Sequence, residues 1–160
     1  MTVIFDPNLR RKLWTEDKAR RILTEQSGLA DIVLPGVAEG EFLFGTSDIK
    51  EIGQSFLGLG ANLAIVKLGA KGAHYFSGSE NARVPGFKVE RVIDPIGAGD
   101  AFAAGFITGL IENLPLKDAV VRANGFGAMV TLVKGDVEGL PERMELEQFI
   151  GQASFEDVQR

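Results

Sequence analysis

The residues of this chain whose types and spacing could do chemistry form one stretch, Asp94-Pro-Ile-Gly-Ala-Gly-Asp100. After it, Ala101-Phe-Ala-Ala-Gly-Phe-Ile-Thr-Gly-Leu110 runs on small and apolar without a proline until Pro115, as a well-packed helix requires. Backbone N–H groups at a helix start lack intrahelical partners, and the helix dipole adds positive potential, so such a turn suits an anion. A carboxylate, Asp100, stands at the same place. A Walker loop would need Gly-Lys-Ser/Thr, but Gly99 is followed by Asp100; a dinucleotide fingerprint would need Gly or Ala where Phe102 stands. On spacing alone, two readings of Asp100 are level: a helix cap, which is a common role for Asp, or a working carboxylate. The flanking glycines and Ala98 favour the second, because they clear side chains from one side of the turn and a cap needs no such clearing. The chemistry that fits is phosphoryl transfer to a hydroxyl. Asp100 accepts the proton of the alcohol, and the amides of Gly97, Ala98, Gly99 and Asp100 stabilise the transferring group.

The elements that must position this turn follow from periodicity and breakers. Phe87–Ile93, rich in β-branched residues, predicts a strand leading into it. Upstream, Met1–Phe5 predicts a buried strand broken by Asp6-Pro-Asn-Leu-Arg10. Ala19, Ile22 and Leu23 predict a helix from Thr15 or Glu16 to about Gln26, with Ser27-Gly28 as its stop. Asp31–Leu34 reads as a central strand and Glu39–Phe44 as a short helix ended at Gly45. Ser47 or Asp48 caps a helix through about Leu59. Asn62–Leu68 is the best strand of the chain, turned by Gly69–Gly72 into a return strand Ala73–Phe76. Arg83–Val89 predicts a short strand interrupted at Pro85-Gly86. Leu116–Val133 predicts a second long helix, and Glu145–Ala153 a last one. Helices alternating with short apolar strands argue for an α/β fold with a mainly parallel sheet plus a hairpin. There is no internal repeat, low-complexity tract or linker.

Composition narrows the function. At 160 residues the chain is one domain's worth and can bury a core. A formal net charge of −5 offers no basic surplus for neutralising phosphate backbones, so nucleic acid is not expected as a partner. No cysteine is present, which removes disulfides and thiolate metal sites, and the single histidine, His74, argues against a histidine-built zinc site or a His-dependent triad. No apolar run has the length of a membrane span and no secretory segment opens the chain, so a cytoplasmic location without membrane contact is expected.

The stretch Asp94-Pro-Ile-Gly-Ala-Gly-Asp-Ala-Phe-Ala-Ala-Gly-Phe106 resembles the C-terminal signature of the ribokinase-like (PfkB) carbohydrate kinases. Other pieces fall in that family's order. Asp6–Arg10 is similar to the segment that brings Asn8 and Arg10 toward phosphates and acceptor sugar. Gly36-Val-Ala-Glu39 matches the metal-associated Asn-x-x-Glu motif only at Glu39. Val66–Gly72, with Lys67, Gly69 and Gly72, resembles the strand and turn beside the nucleotide, and Asn124 falls near the adenine. Within the family, Asp94–Asp100, Asp6–Arg10 and Gly135–Pro141 are most similar to 2-keto-3-deoxygluconate kinases, in which a residue matching Asp136 is expected near the acceptor. Pro95 and Ile96 replace the commoner Thr residues, as that branch often does.

The resemblance implies a three-layer sheet flanked by helices, ATP between the Gly69–Gly72 turn and the helix around Asn124, and magnesium on the phosphates near Glu39. It implies Asp100 as the base, a small-molecule sugar or sugar acid as acceptor, and, as in some relatives, a monovalent cation near the glycine turn. Gly36 in place of Asn leaves Glu39 to act on the metal through water. Such a kinase runs to roughly twice this length. The chain therefore reads as a single partial domain, 1–160, missing the family's N-terminal strands and lid and expected to self-associate or to need the other half.

Without the resemblance the residues read more blandly. Asp6 and Asn8 are turn chemistry, Arg10 with Arg11 and Lys12 a solvated cluster, Glu39 a surface acid, and Asp136 a turn residue. Lys67 snorkels from an apolar strand to an edge. Trp14 anchors the first helix in the core. Asn124 is either a satisfied buried amide or an adenine neighbour.

Overall fold

The structure, a computed structural model, describes residues 1–135 and 137–158. The chain divides into two compact units, one of residues 1–69 and 73–83, the other of residues 70–72 and the chain from Val84 onward.

The first unit is built on the sheet. β1 (Ile4–Phe5), β2 (Ile32–Val33), β3 (Leu63–Lys67), β4 (Ala73–Ser77) and β5 (Asn81–Val84) lie side by side in chain order. β1 pairs parallel with β2 and β2 with β3; β3 and β4 are antiparallel, with Ile65 opposite Tyr75. The sheet is mixed: its first three strands are parallel, and Gly69–Lys71, a single 3-10 turn, folds the chain back into the expected hairpin. The helices α1 (Glu16–Leu29), α2 (Val37–Phe44) and α3 (Ile49–Leu59) join one face: Val33, Ala64, Val66 and Phe76 meet Leu23, Phe42, Leu43, Ile52 and Phe56 in one buried cluster. Ile65 and Tyr75, which alternate to the other face, are buried too. Asp48 caps α3 by accepting from Glu51 N.

The second unit is helical. α4 (Ala98–Ile111) packs along α5 (Leu116–Val130), and α6 (Arg143–Val158) packs on α5. Glu112, just past α4, pairs with Arg122 of α5 and Arg143 of α6.

Several boundaries differ from expectation. α1 runs through Ser27-Gly28 to Leu29, because the Ser27 hydroxyl donates to Leu23 O within the helix instead of competing with it. Trp14 lies outside the core, 38 % exposed, with the Lys18 ammonium over its ring. The expected strand Arg83–Val89 is β5, which stops at Val84, where Pro85 brings no N–H to a ladder. The expected strand Phe87–Ile93 does not form. Its β-branched residues have no partner strand: Ile93 N and Asp94 N both donate to Thr131 O, and the Phe87 ring packs against Phe149 of α6.

Candidate functional site

In the first unit the chain leaves β1 into a loop held at three points. The Asp6 carboxylate accepts from Asn8 N through Oδ1 (3.3 Å) and pairs through Oδ2 with Lys67 Nζ (2.5 Å) at the end of β3. Leu9 N donates to Glu39 Oε1 (3.3 Å), and Gly36 N donates to Glu39 Oε2 (2.9 Å), so the carboxylate caps α2 and tethers the loop together. Asn8 sits at φ +36°, a left-handed conformation that residues other than glycine seldom adopt. Arg10 then opens a 3-10 turn over Arg11–Leu13. A cavity of about 550 Å³ lies there, lined by Leu9, Arg10, Arg11, Lys12 and Leu13 with Ala38 and Glu39. The Arg11 guanidinium lies 5.4 Å over the Phe42 ring, which steadies its side chain.

Expectation and structure part here in two places. Lys67 does not snorkel to an open edge; it and Asp6 are each only 19 % exposed and are spent on each other. Glu39 is no free surface acid, since both its oxygens accept backbone amides. Arg10, Arg11 and Lys12 are exposed, as a solvated cluster is, and they also line an open cavity. Burial pushes the Asp6 carboxyl above the usual carboxylate range despite the ion pair and hydrogen bond with Lys67, and the Glu39 charge adds to the rise. The sequence singled out Asn8, Arg10, Glu39 and Lys67, and the structure brings them together. It did not single out the pairing of Asp6 with a lysine 61 residues away; the available signal was a charge closing an otherwise apolar strand.

In the second unit the glycine turn opens α4. Gly97 is the residue before the helix, at φ +78°, a conformation that costs an L side chain about 1–2 kcal/mol. The cap position thus belongs to Gly97, and Asp100 lies inside the first turn, exposed and without a hydrogen bond or ion pair among the described residues. Ala101 N makes the first intrahelical bond, to Gly97 O. Ala98 N, expected among the free amides, is drawn to Pro95 O at 3.4 Å; Gly97, Gly99 and Asp100 have N–H groups without a partner among the described residues. The turn is braced by Asp94, which accepts from Ile96 N (3.0 Å) and from Gly135 N (3.4 Å). This can place three donors and one proton acceptor about a transferring anionic group.

Asn124 on α5 is buried, and its Nδ2 donates to Val84 O (3.3 Å) and Pro85 O (3.0 Å). The satisfied-amide reading describes it. The segment it grips crosses the turn at Gly72 so closely that a Cβ on Gly72 would lie 2.4 Å from Gly86 N, and one on Gly86 2.5 Å from Ala70 O. Both crossing residues must therefore be glycine. Gly86 was not singled out from sequence. Gly69 begins the preceding 3-10 turn at φ +60°. Asp136 lies outside the described residues. No group of three or more His, Asp or Glu able to hold a metal occurs among the described residues, and no helix there is long and apolar enough to cross a membrane.

Residues 1–143 match the pfkB family carbohydrate kinases. The chain belongs to this family. Among pfkB relatives, the 2-dehydro-3-deoxygluconokinase of Bacillus subtilis is 42% identical over 151 residues, covering 93% of this chain and 46% of its own length. The fructokinase of Vibrio cholerae, solved with fructose, ADP and calcium ion, superposes with a TM-score of 0.85 at 37% identity, over 93% of this chain and 50% of that one. The aminoimidazole riboside kinase of Salmonella enterica, solved with aminoimidazole riboside and an ATP analog, gives 0.85 at 32% identity, over 93% and 52%. The chain spans about half the length of the curated relatives it matches.

Proposed function

We propose that this chain serves ATP-dependent phosphorylation of a sugar-acid hydroxyl, of the 2-keto-3-deoxygluconate type. The observation that carries the reading is the start of α4. Three amides and an exposed carboxylate, none with a partner among the described residues, share one turn there, in a conformation suited to glycine at 97. Asp100 takes the proton of the attacking hydroxyl, and the Gly97, Gly99 and Asp100 amides stabilise charge on the moving phosphoryl group. Arg10 is assigned to the acceptor. An acidic acceptor is preferred to a neutral sugar because Arg10, Arg11 and Lys12 all line the first unit's cavity. The 42% identity to a 2-dehydro-3-deoxygluconokinase supports the same class.

Magnesium, when bound, supplies charge neutralisation on the nucleotide phosphates. The donor set fits a metal carried mainly by those phosphates: the Glu39 oxygens already accept two amides, so Glu39 would serve the metal through water. Gly69 and Gly72 are assigned to the nucleotide side. Asn124 shapes that side by gripping Val84 and Pro85 rather than by offering a free amide.

ADP release measured with 2-keto-3-deoxygluconate, fructose, ribose and a nucleoside tests the acceptor class. The sugar acid is expected to give the highest kcat/KM, and a preference for fructose would reassign the cavity. The half-length match favours a second reading, a nucleotide-binding or structural piece without turnover of its own, since catalysis needs both reactants positioned. Calorimetry with ATP and Mg²⁺ separates these: saturable heat marks a binding module, and its absence a structural one.

A further inference from the structure

We propose that Asp6, Lys67 and Glu39 form a latch that holds the Asn8–Arg10 loop in its left-handed bend and so sets Arg10 on the cavity. They are positioning residues, and the kinetic part of the proposal rests on the assignment of Arg10 to the acceptor. The latch draws on three segments. Asp6 follows β1, Glu39 stands in the first turn of α2, and Lys67 ends β3. The backbone brings the last two together, because Lys67 N donates to Pro35 O (2.7 Å) and Gly36 bridges Lys67 in parallel. The ties then bracket Asn8 from both sides: Asp6 accepts its amide, and Glu39 accepts the amide of the next residue, Leu9.

This geometry assigns Lys67 a role other than phosphate binding. A lysine that binds phosphate presents its ammonium as a point charge, whereas this ammonium is already paired with Asp6, and both side chains are largely withdrawn from water. Removing either partner leaves the other half-buried and uncompensated. Asn tolerates left-handed φ better than most side chains, and the ties on either side select that bend at Asn8, φ +36°. Asn8 and Arg10 are exposed; packing of Pro7 and Leu9 anchors the flanks of the loop, and the latch constrains the turn between them.

Hydrogen exchange on the chain tests the latch without needing turnover. Lys67→Met is expected to raise exchange at the Leu9 amide by about 10-fold or more while β3 and β4 amides keep their protection. Lys67→Arg, which keeps the pair, is expected to leave Leu9 protected. If Lys67→Met loosens the whole sheet, Lys67→Arg decides: a firm sheet with a protected Leu9 supports the latch, and a firm sheet with a fast Leu9 overturns it. Unchanged Leu9 exchange in Lys67→Met also overturns it. In the kinase assay, Lys67→Met is expected to raise KM for the acceptor about 10-fold with KM for ATP within about 2-fold. A rise confined to ATP would place Lys67 on phosphate and overturn the proposal. Loss of Leu9 protection with no kinetic change would keep the latch and remove Arg10 from the acceptor.

Discussion

At the scale of single residues, Asp6 is the carboxyl whose environment works against its charge. Burial raises its pKa, and Lys67, on β3, only partly offsets that; Glu39, on α2, adds to the rise. A carboxyl whose folded pKa lies above its unfolded value contributes stability that is full at low pH and lost as pH rises through the folded value. Relative to Asp6→Asn, the chain with Asp6 should therefore gain stability as pH falls from 7 toward 4, in denaturant titrations at several pH values. A relative loss on acidification, the usual behaviour of a paired Asp, would contradict this. The two carboxylates of the stretch 94–100 were legible to different degrees. Asp100 stood out because a glycine turn opening a helix is a local pattern. Asp94 did not, because its partner Gly135 is 41 residues away. Glu39 was read as an acid near metal, although its spacing from Gly36 is that of a residue reaching back to cap its own helix.

At the scale of elements, helix ends were legible within two or three residues, since periodicity and breakers act within a turn, except that α6 runs to Val158 where about Ala153 was expected. The exception that matters is Phe87–Ile93. Alternating β-branched residues predict a strand only where a partner strand exists, and here α5 and α6 take that segment instead. Asn124 shows how an element braces such a segment. Its two hydrogen bonds fix Val84 and Pro85 across the Gly72–Gly86 crossing. Asn124→Ala should lower unfolding stability by about 1–3 kcal/mol by leaving acceptors unpaired. In a nucleotide titration it should also weaken ATP. A variant that loses stability yet keeps ATP affinity would confine Asn124 to packing.

At the scale of the molecule, β1 ends the sheet with only two residues, and its outer edge is unpaired. Val3, Leu13 and Leu29 are exposed in the same unit. Self-association at micromolar concentration is therefore expected by size-exclusion chromatography with light scattering, and a stable, well-dispersed monomer would contradict it. The molecule carries a net charge of −5, yet one cavity is lined by three cations against the single carboxylate of Glu39, so the local field there favours an anionic ligand against the overall balance. That contrast appears only once the fold gathers Arg10, Arg11 and Lys12 around a hollow; in the sequence they read as one solvated run. The reaction itself is tested most directly by Asp100→Asn in a preparation that turns over. The exposed carboxylate at the start of α4 is expected to be worth about 10²–10⁴-fold in kcat, with KM for ATP nearly unchanged. Undiminished turnover would remove Asp100 as the base and the account with it.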